Sequence, residues 1–92
     1  MLKMHKNITV ICFCSKSYKQ YNYISHQIKY LQNKFRKYSI KTKIIDPLKN
    51  FETISQYCIT SFPSYIFNKN NIFNKYAGTN INTLENHIQN LL

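Results

Sequence analysis

The chain has 92 residues, a formal net charge of +10 and 43% apolar residues, enough for one hydrophobic core and too apolar for a disordered polymer. A single domain over 1–92 is therefore expected. The longest unbroken apolar run, Val10 to Cys14, excludes a transmembrane helix. The opening "MLKMHKN" has neither the apolar stretch of a secretory signal nor the arginines of a transit peptide, so the mature chain is expected to begin at or near Met1. It is expected to work inside the cell, in the cytoplasm or an organelle interior. Three cysteines, an odd number without a secretory signal, argue against a disulfide framework. Thirteen Lys and Arg face only Asp46, Glu52 and Glu85, which favours an anionic neighbour such as RNA, an acidic protein or a lipid surface. Part of that excess is discounted, because abundant Asn, Lys, Ile and Tyr are the products of A- and T-rich codons.

In chain order, "ITVICFC" at 8–14 predicts a strand buried on both faces. Cys12 and Cys14 share one face of it, with Cα atoms roughly 6.6 Å apart. That is the edge of the disulfide window with parallel side chains, so two readings stand: small core hydrophobes, or a redox pair if the chain curls at Cys14. From Lys19 to Lys37 the period changes. Tyr21, Ile24, Ile28, Leu31 and Phe35 recur at spacings of three and four, the inner stripe of an amphipathic helix. Residues 40–46, "IKTKIID", predict a second strand, broken by Asp46-Pro47. A short helix is expected over 50–57, with Asn50 as N-cap and Phe51 and Ile54 facing inward. Cys58 follows it, either as a small residue packed at the helix end or as a partner thiol for Cys14.

"SYIFN" and "NIFNKYA" flank Lys69-Asn70 and predict a hairpin, ended by Gly78. The final helix is expected to open with Asn82 and Glu85 as a capping box and to bury Leu84, Ile88 and Leu91. The order is β-α-β-α-β-β-α. Its first unit makes a parallel pair and the hairpin adds two antiparallel strands. The fold class is thus α/β, a four-stranded mixed sheet with helices on both faces.

No metal site stands out, since Cys12, Cys14, Cys58, His5, His26 and His87 lack a paired ligand spacing of known type, and no cofactor is expected. His26 and His87 are read as solvated helix residues. Three acids offer no carboxylate pair for acid–base work. Lysines interleaved with tyrosines are compatible with RNA contact, although Tyr21 and Tyr65 are placed in the core.

From about Ile44 onward the residues resemble a thioredoxin: "IID", a helix ending "SQYCIT", then "SFPSYIFNKNN", "KYAG" and a last amphipathic helix. Ser61-Phe62-Pro63 before an apolar strand is the most specific match. Residues 8–37 match in pattern only. The resemblance leaves out the N-terminal strand and helix of full-length thioredoxins. It implies a cis Phe62–Pro63 bond beside the active site, with Phe62 and Pro63 offering backbone to an extended peptide. It also implies a Cys-x-x-Cys where the first strand turns into helix, because a helix N-terminus lowers a thiol pKa. Here Ser17, Tyr18, Lys19 and Gln20 fall at those positions, give or take one, and neither Ser17 nor Gln20 exchanges with disulfides.

The expectation is a thioredoxin-like scaffold without its redox centre, acting as a binding or structural module with protein partners. A small subunit of an organellar ribosomal or respiratory assembly is one form of that role, with RNA contact compatible. The alternative is a divergent thioredoxin- or glutaredoxin-like oxidoreductase using Cys14 with Cys12 or Cys58.

Overall fold

A six-residue strand, β1 (Ile8–Phe13), lies at the centre of the computed structural model, which describes residues 8–92. The N-terminal segment read above for targeting signals, with His5, lies outside the described residues. β1 pairs in parallel with β2 (Lys41–Ile45), Thr9 opposite Lys41 and Phe13 opposite Ile45. On its other side it pairs antiparallel with β3 (Ser64–Lys69), which in turn pairs with β4 (Ile72–Ala77). The sheet order is β2-β1-β3-β4, the four-stranded mixed sheet expected.

Strand periodicity sorts the side chains into two clusters. Ile8, Val10, Cys12, Tyr65 and Phe67 meet α1 (Tyr21–Lys34) and α3 (Ile81–Leu91) through Ile24, Ile28, Leu31, Leu84 and Ile88. On the opposite face Phe13, Ile59 and Ile66 pack with Ile11, Ile45, Ile54 and Tyr57, beneath α2 (Phe51–Gln56). Helices therefore cover both faces, two on one side and one on the other. Each fully buried Ile, Leu or Phe contributes about 1.5–3 kcal/mol. Among the described residues no helix is long and apolar enough to cross a membrane.

Several local expectations are corrected. α1 begins at Tyr21, two residues later than read, because the Ser15 hydroxyl accepts the Ser17 N–H (3.2 Å) and successive turns carry the chain to Tyr21. It ends at Lys34, and a 3-10 turn over Arg36–Tyr38 follows until Ser39 turns left-handed at φ 54°. The hairpin turn is Asn70–Asn71, both left-handed, one residue past the expected pair. Asn80 and not Asn82 caps α3, its Oδ1 accepting the Thr83 N–H at 3.1 Å. Glu85 makes no capping box and instead pairs with Lys34 at 3.1 Å.

Asn50 does precede α2, yet its side chain caps nothing. It donates to the Asp46 carbonyl (2.8 Å), while the Asp46 carboxylate accepts the Leu48 N–H (2.9 Å) and caps a 3-10 turn over Pro47–Lys49. Phe51 faces outward, not inward. His87 is half-buried, stacked on Phe67 with ring centroids 4.8 Å apart; His26 is exposed.

Polar contacts hold the chain between β4 and α3. Gln27, buried on α1, donates from Nε2 to the Thr79 carbonyl (2.7 Å) and the Tyr23 hydroxyl (3.2 Å). The Asn80 N–H donates to the Tyr76 hydroxyl at 3.1 Å. Gly78 sits at φ +144°, where an added Cβ would lie 2.6 Å from that hydroxyl, so no other residue fits.

Candidate functional site

The carboxyl ends of parallel strands are where α/β sheets open a crevice. In this chain β1 and β2 end together, and β3 begins beside them. Cys14 extends the ladder by one bond, its N–H donating to the Ile45 carbonyl at 3.0 Å. The chain then leaves through Ser15, whose hydroxyl also pairs with that of Ser17 (2.9 Å). Across from this turn, Asp46-Pro47 and α2 form a second wall. The Phe62–Pro63 peptide, which is cis, forms the third.

The three walls enclose a groove of about 580 Å³. Cys14, Ser15, Ser17 and Tyr18 line one side; Pro47, Leu48, Phe51 and Ile54 line the other, closed by Ile59 and Phe62. Leu48, Phe51 and Phe62 remain 67%, 71% and 46% exposed, an apolar surface left open to solvent. Within the ladder, Pro63 accepts through its carbonyl from the Gly78 N–H at 3.1 Å. One residue earlier, the N–H and C=O of Phe62 make no hydrogen bond among the described residues. An extended segment laid along the groove can use both.

The sulfurs are elsewhere. Cys12 is fully buried mid-strand, between Ile44 and Tyr65, and burial pushes its thiol up to about 12. The Tyr65 hydroxyl is buried beside it without a hydrogen bond of ordinary geometry, and its own ionisation is also pushed up by burial. Cys14 lies just beneath the groove at 1% exposure, its Sγ donating to the Ser15 carbonyl (3.6 Å). Burial raises its thiol, and the Asp46 carboxylate raises it further. Cys58 is exposed at φ 55°, the left-handed position that closes α2, so it does not pack at the helix end. Its carbonyl accepts from Lys75 Nζ at 3.1 Å. All three are free thiols, and Cys58 lines a separate depression with Lys75 and Tyr76 rather than the groove.

Ser17, Tyr18, Lys19 and Gln20 all fall in the turn before α1. Ser17 and Tyr18 line the groove, and Gln20 is the N-cap of α1 without a side-chain cap bond. Among the described residues no group of three or more His, Cys, Asp or Glu comes together as a metal site. Sequence reasoning missed Leu48 and Phe51 as groove residues. The available signal was two apolar side chains three apart in a segment already broken by Asp46-Pro47, too short to reach the core.

No protein-family model and no curated protein matches the chain. Solved structures do. Deadhead, the germline-specific thioredoxin of Drosophila melanogaster, is similar with a TM-score of 0.82 at 22% identity, over 95% of this chain and 83% of that one. Fasciola hepatica thioredoxin has a TM-score of 0.82 at 18% identity, over 95% and 83%. A structure described as that of a malarial protein has 0.79 at 23% identity, over 94% and 98%. At such identities the likeness establishes the path of the chain and leaves its chemistry to its own residues.

Proposed function

Starting from the thioredoxin-like fold of this chain, we propose that it is a single-domain binding module without dithiol chemistry. It takes an extended apolar peptide segment of a protein partner into the groove beside Phe62 and Pro63. The observation that carries this reading is the pairing of open apolar side chains with free backbone groups at Phe62. Burying Leu48, Phe51 and Phe62 against a partner recovers apolar area now in water. The Phe62 N–H and C=O add strand-type hydrogen bonds, the mode by which extended peptides join a sheet. The helix start supports the absence of redox work: Ser17 and Gln20 carry no nucleophilic sulfur, and the nearest thiol, Cys14, is held protonated by burial.

Such a module suits a small subunit of a larger intracellular assembly, organellar ribosomal or respiratory. Ile72 and Phe73, exposed on the edge strand β4, are further apolar surface for neighbours. Calorimetric titration with a panel of eight-residue peptides of alternating apolar residues tests the groove. Micromolar binding that Phe51→Ser and Phe62→Ala each weaken at least tenfold is expected. No binding by any peptide, in a protein that migrates alone in native extract, overturns the reading.

One observation favours a second reading, the position of Cys14 under the groove. As an oxidoreductase, its thiolate would attack one sulfur of a substrate disulfide and release the other as a thiolate. Cys58, Cys12 or an outside thiol would then resolve the mixed disulfide. An insulin-reduction assay decides: activity abolished by Cys14→Ser establishes this reading and removes the first.

A further inference from the structure

Charge is unevenly placed on this molecule. Six of the thirteen cationic side chains fall between Lys29 and Lys43, and none of the three acids does. Lys34 is paired with Glu85, which comes from α3. Lys29, Arg36, Lys37, Lys41 and Lys43 are exposed and have no anionic partner among the described residues. Lys29 on α1 and Lys43 on the edge strand β2 line one groove of about 290 Å³, with Ser25, Gln32 and Thr42 between them. The Gln32 amide donates to the Thr42 hydroxyl, leaving the hydroxyl proton free to donate outward. Two ammonium groups and two hydroxyls thus share a groove lined by no carboxylate. An acceptor-only anion relieves that repulsion and fits those donors.

The neighbouring side of α1 selects among anions. Tyr23 and Tyr30, two helical turns apart, are 54% and 45% exposed and line a second depression with His26. Tyr23 is held at its hydroxyl by buried Gln27, so its ring is positioned while half its surface stays in water. Aromatic rings beside a basic groove are the footprint of a single-stranded nucleic acid, whose bases stack while its phosphates are neutralised. A lipid surface calls for inserted aliphatic side chains, and the large ones exposed among the described residues, Leu48 and Ile72, lie on other elements. We propose that the outer surface of α1 with the β2 edge binds single-stranded nucleic acid, phosphates against Lys29 and Lys43 and bases against Tyr23 and Tyr30.

The test is fluorescence anisotropy with a labelled 15-nucleotide oligouridylate RNA across 50–200 mM KCl. Replacing Lys29, Lys41 and Lys43 by Gln is expected to flatten the slope of log K against log salt by about 2, at roughly 0.7 per lost phosphate contact. Tyr23→Ala with Tyr30→Ala is expected to weaken binding about tenfold or more and leave the slope unchanged. A control triple, Lys16, Lys19 and Lys49 to Gln, removes the same charge elsewhere and is expected to change the slope little. An equal loss in the control shows diffuse charge attraction and overturns the site. So does equal competition by phosphatidylserine vesicles or polyglutamate. A lysine triple variant that self-associates but binds RNA unchanged also overturns it, since the lysines then only protect an exposed strand edge. Cross-linking of 4-thiouridine RNA to the unaltered protein gives a readout independent of variant folding. Adducts at Tyr23 or Tyr30 uphold the proposal, and adducts confined to other elements overturn it.

Discussion

The two faces of the sheet are covered unequally. On one, helices of 14 and 11 residues lay Ile24, Ile28, Leu31, Leu84 and Ile88 over β1 and β3. On the other, a six-residue helix lies over the smaller buried cluster of Phe13, Ile59 and Ile66, and Leu48, Phe51 and Phe62 stay open at its margin. The long helices supply the apolar burial that holds a chain of this size together. The short one leaves the carboxyl ends of β1 and β2 uncovered, and the candidate peptide groove is that uncovered strip. Most of the buried apolar packing therefore lies on one face, and the proposed peptide groove opens on the other.

The largest test of that division is Leu84→Ala on the well-covered face. It is expected to lose about 2–5 kcal/mol in urea unfolding, against about 1 kcal/mol for half-buried Ile54→Ala on the thin face. Equal losses would break the comparison. Next comes alkali, because Cys12 is sealed in the thicker cluster. Above pH 9.0 the unfolded chain gives up a thiol proton that the native chain keeps to about 12. The unfolded state then binds fewer protons, so stability falls as pH rises through that window and is intact below it. The slope for this thiol is at most about 1.4 kcal/mol per pH unit, and Cys12→Ala should remove it from unfolding curves between pH 8 and 11.

Asn80→Ala sharpens the picture at smaller scale. Losing the cap of α3 should cost about 1 kcal/mol, read as a lower urea midpoint with unchanged slope. The smallest expected effect is at Phe51. Phe51→Ser should leave stability within about 0.5 kcal/mol, since its side chain is already in water, while peptide binding drops. If stability falls by several times that amount, Phe51 is packing and not recognition.

The expected order of elements and the mixed sheet were legible because the main elements carry strong patterns: a nearly unbroken apolar run in "ITVICFC", and apolar residues at spacings of three and four from Tyr21 to Phe35. The resemblance carried by Ser61-Phe62-Pro63 pointed to the groove's third wall. What could not be read was set by local hydrogen bonds competing with propensity. Asn82 with Glu85 satisfies the capping pattern, yet Asn80 stands two residues earlier with the extended backbone a cap needs. Asn50 is outcompeted because the Asp46 carbonyl takes its amide. Phe51 misled because an apolar residue beside a helix start reads as core, and nothing in the period of a six-residue helix distinguishes a core face from a groove wall. The cysteines were legible in placement and, in the core reading, in depth: Cys12 is buried mid-strand, and Cys14, one residue beyond the strand, is buried at the wall of the groove.

The Gln27–Thr79 contact joins residues 52 positions apart in sequence, and Tyr76 with Asn80 fastens the same short segment to the edge of the sheet. Closing so long a loop costs conformational entropy that only formed tertiary structure can offset, so these bonds exist once α1 has docked and not before. Local opening of this clasp is expected to release β4 and α3 together, whereas the α2 segment meets β4 only near its C-terminal end, where Tyr57 packs edge-on against Phe73 and the Cys58 carbonyl accepts from Lys75. Native-state amide exchange should therefore separate two cooperative units, with α1, β1 and β3 protected to the global limit, and the α3 amides exchanging in step with those of β4.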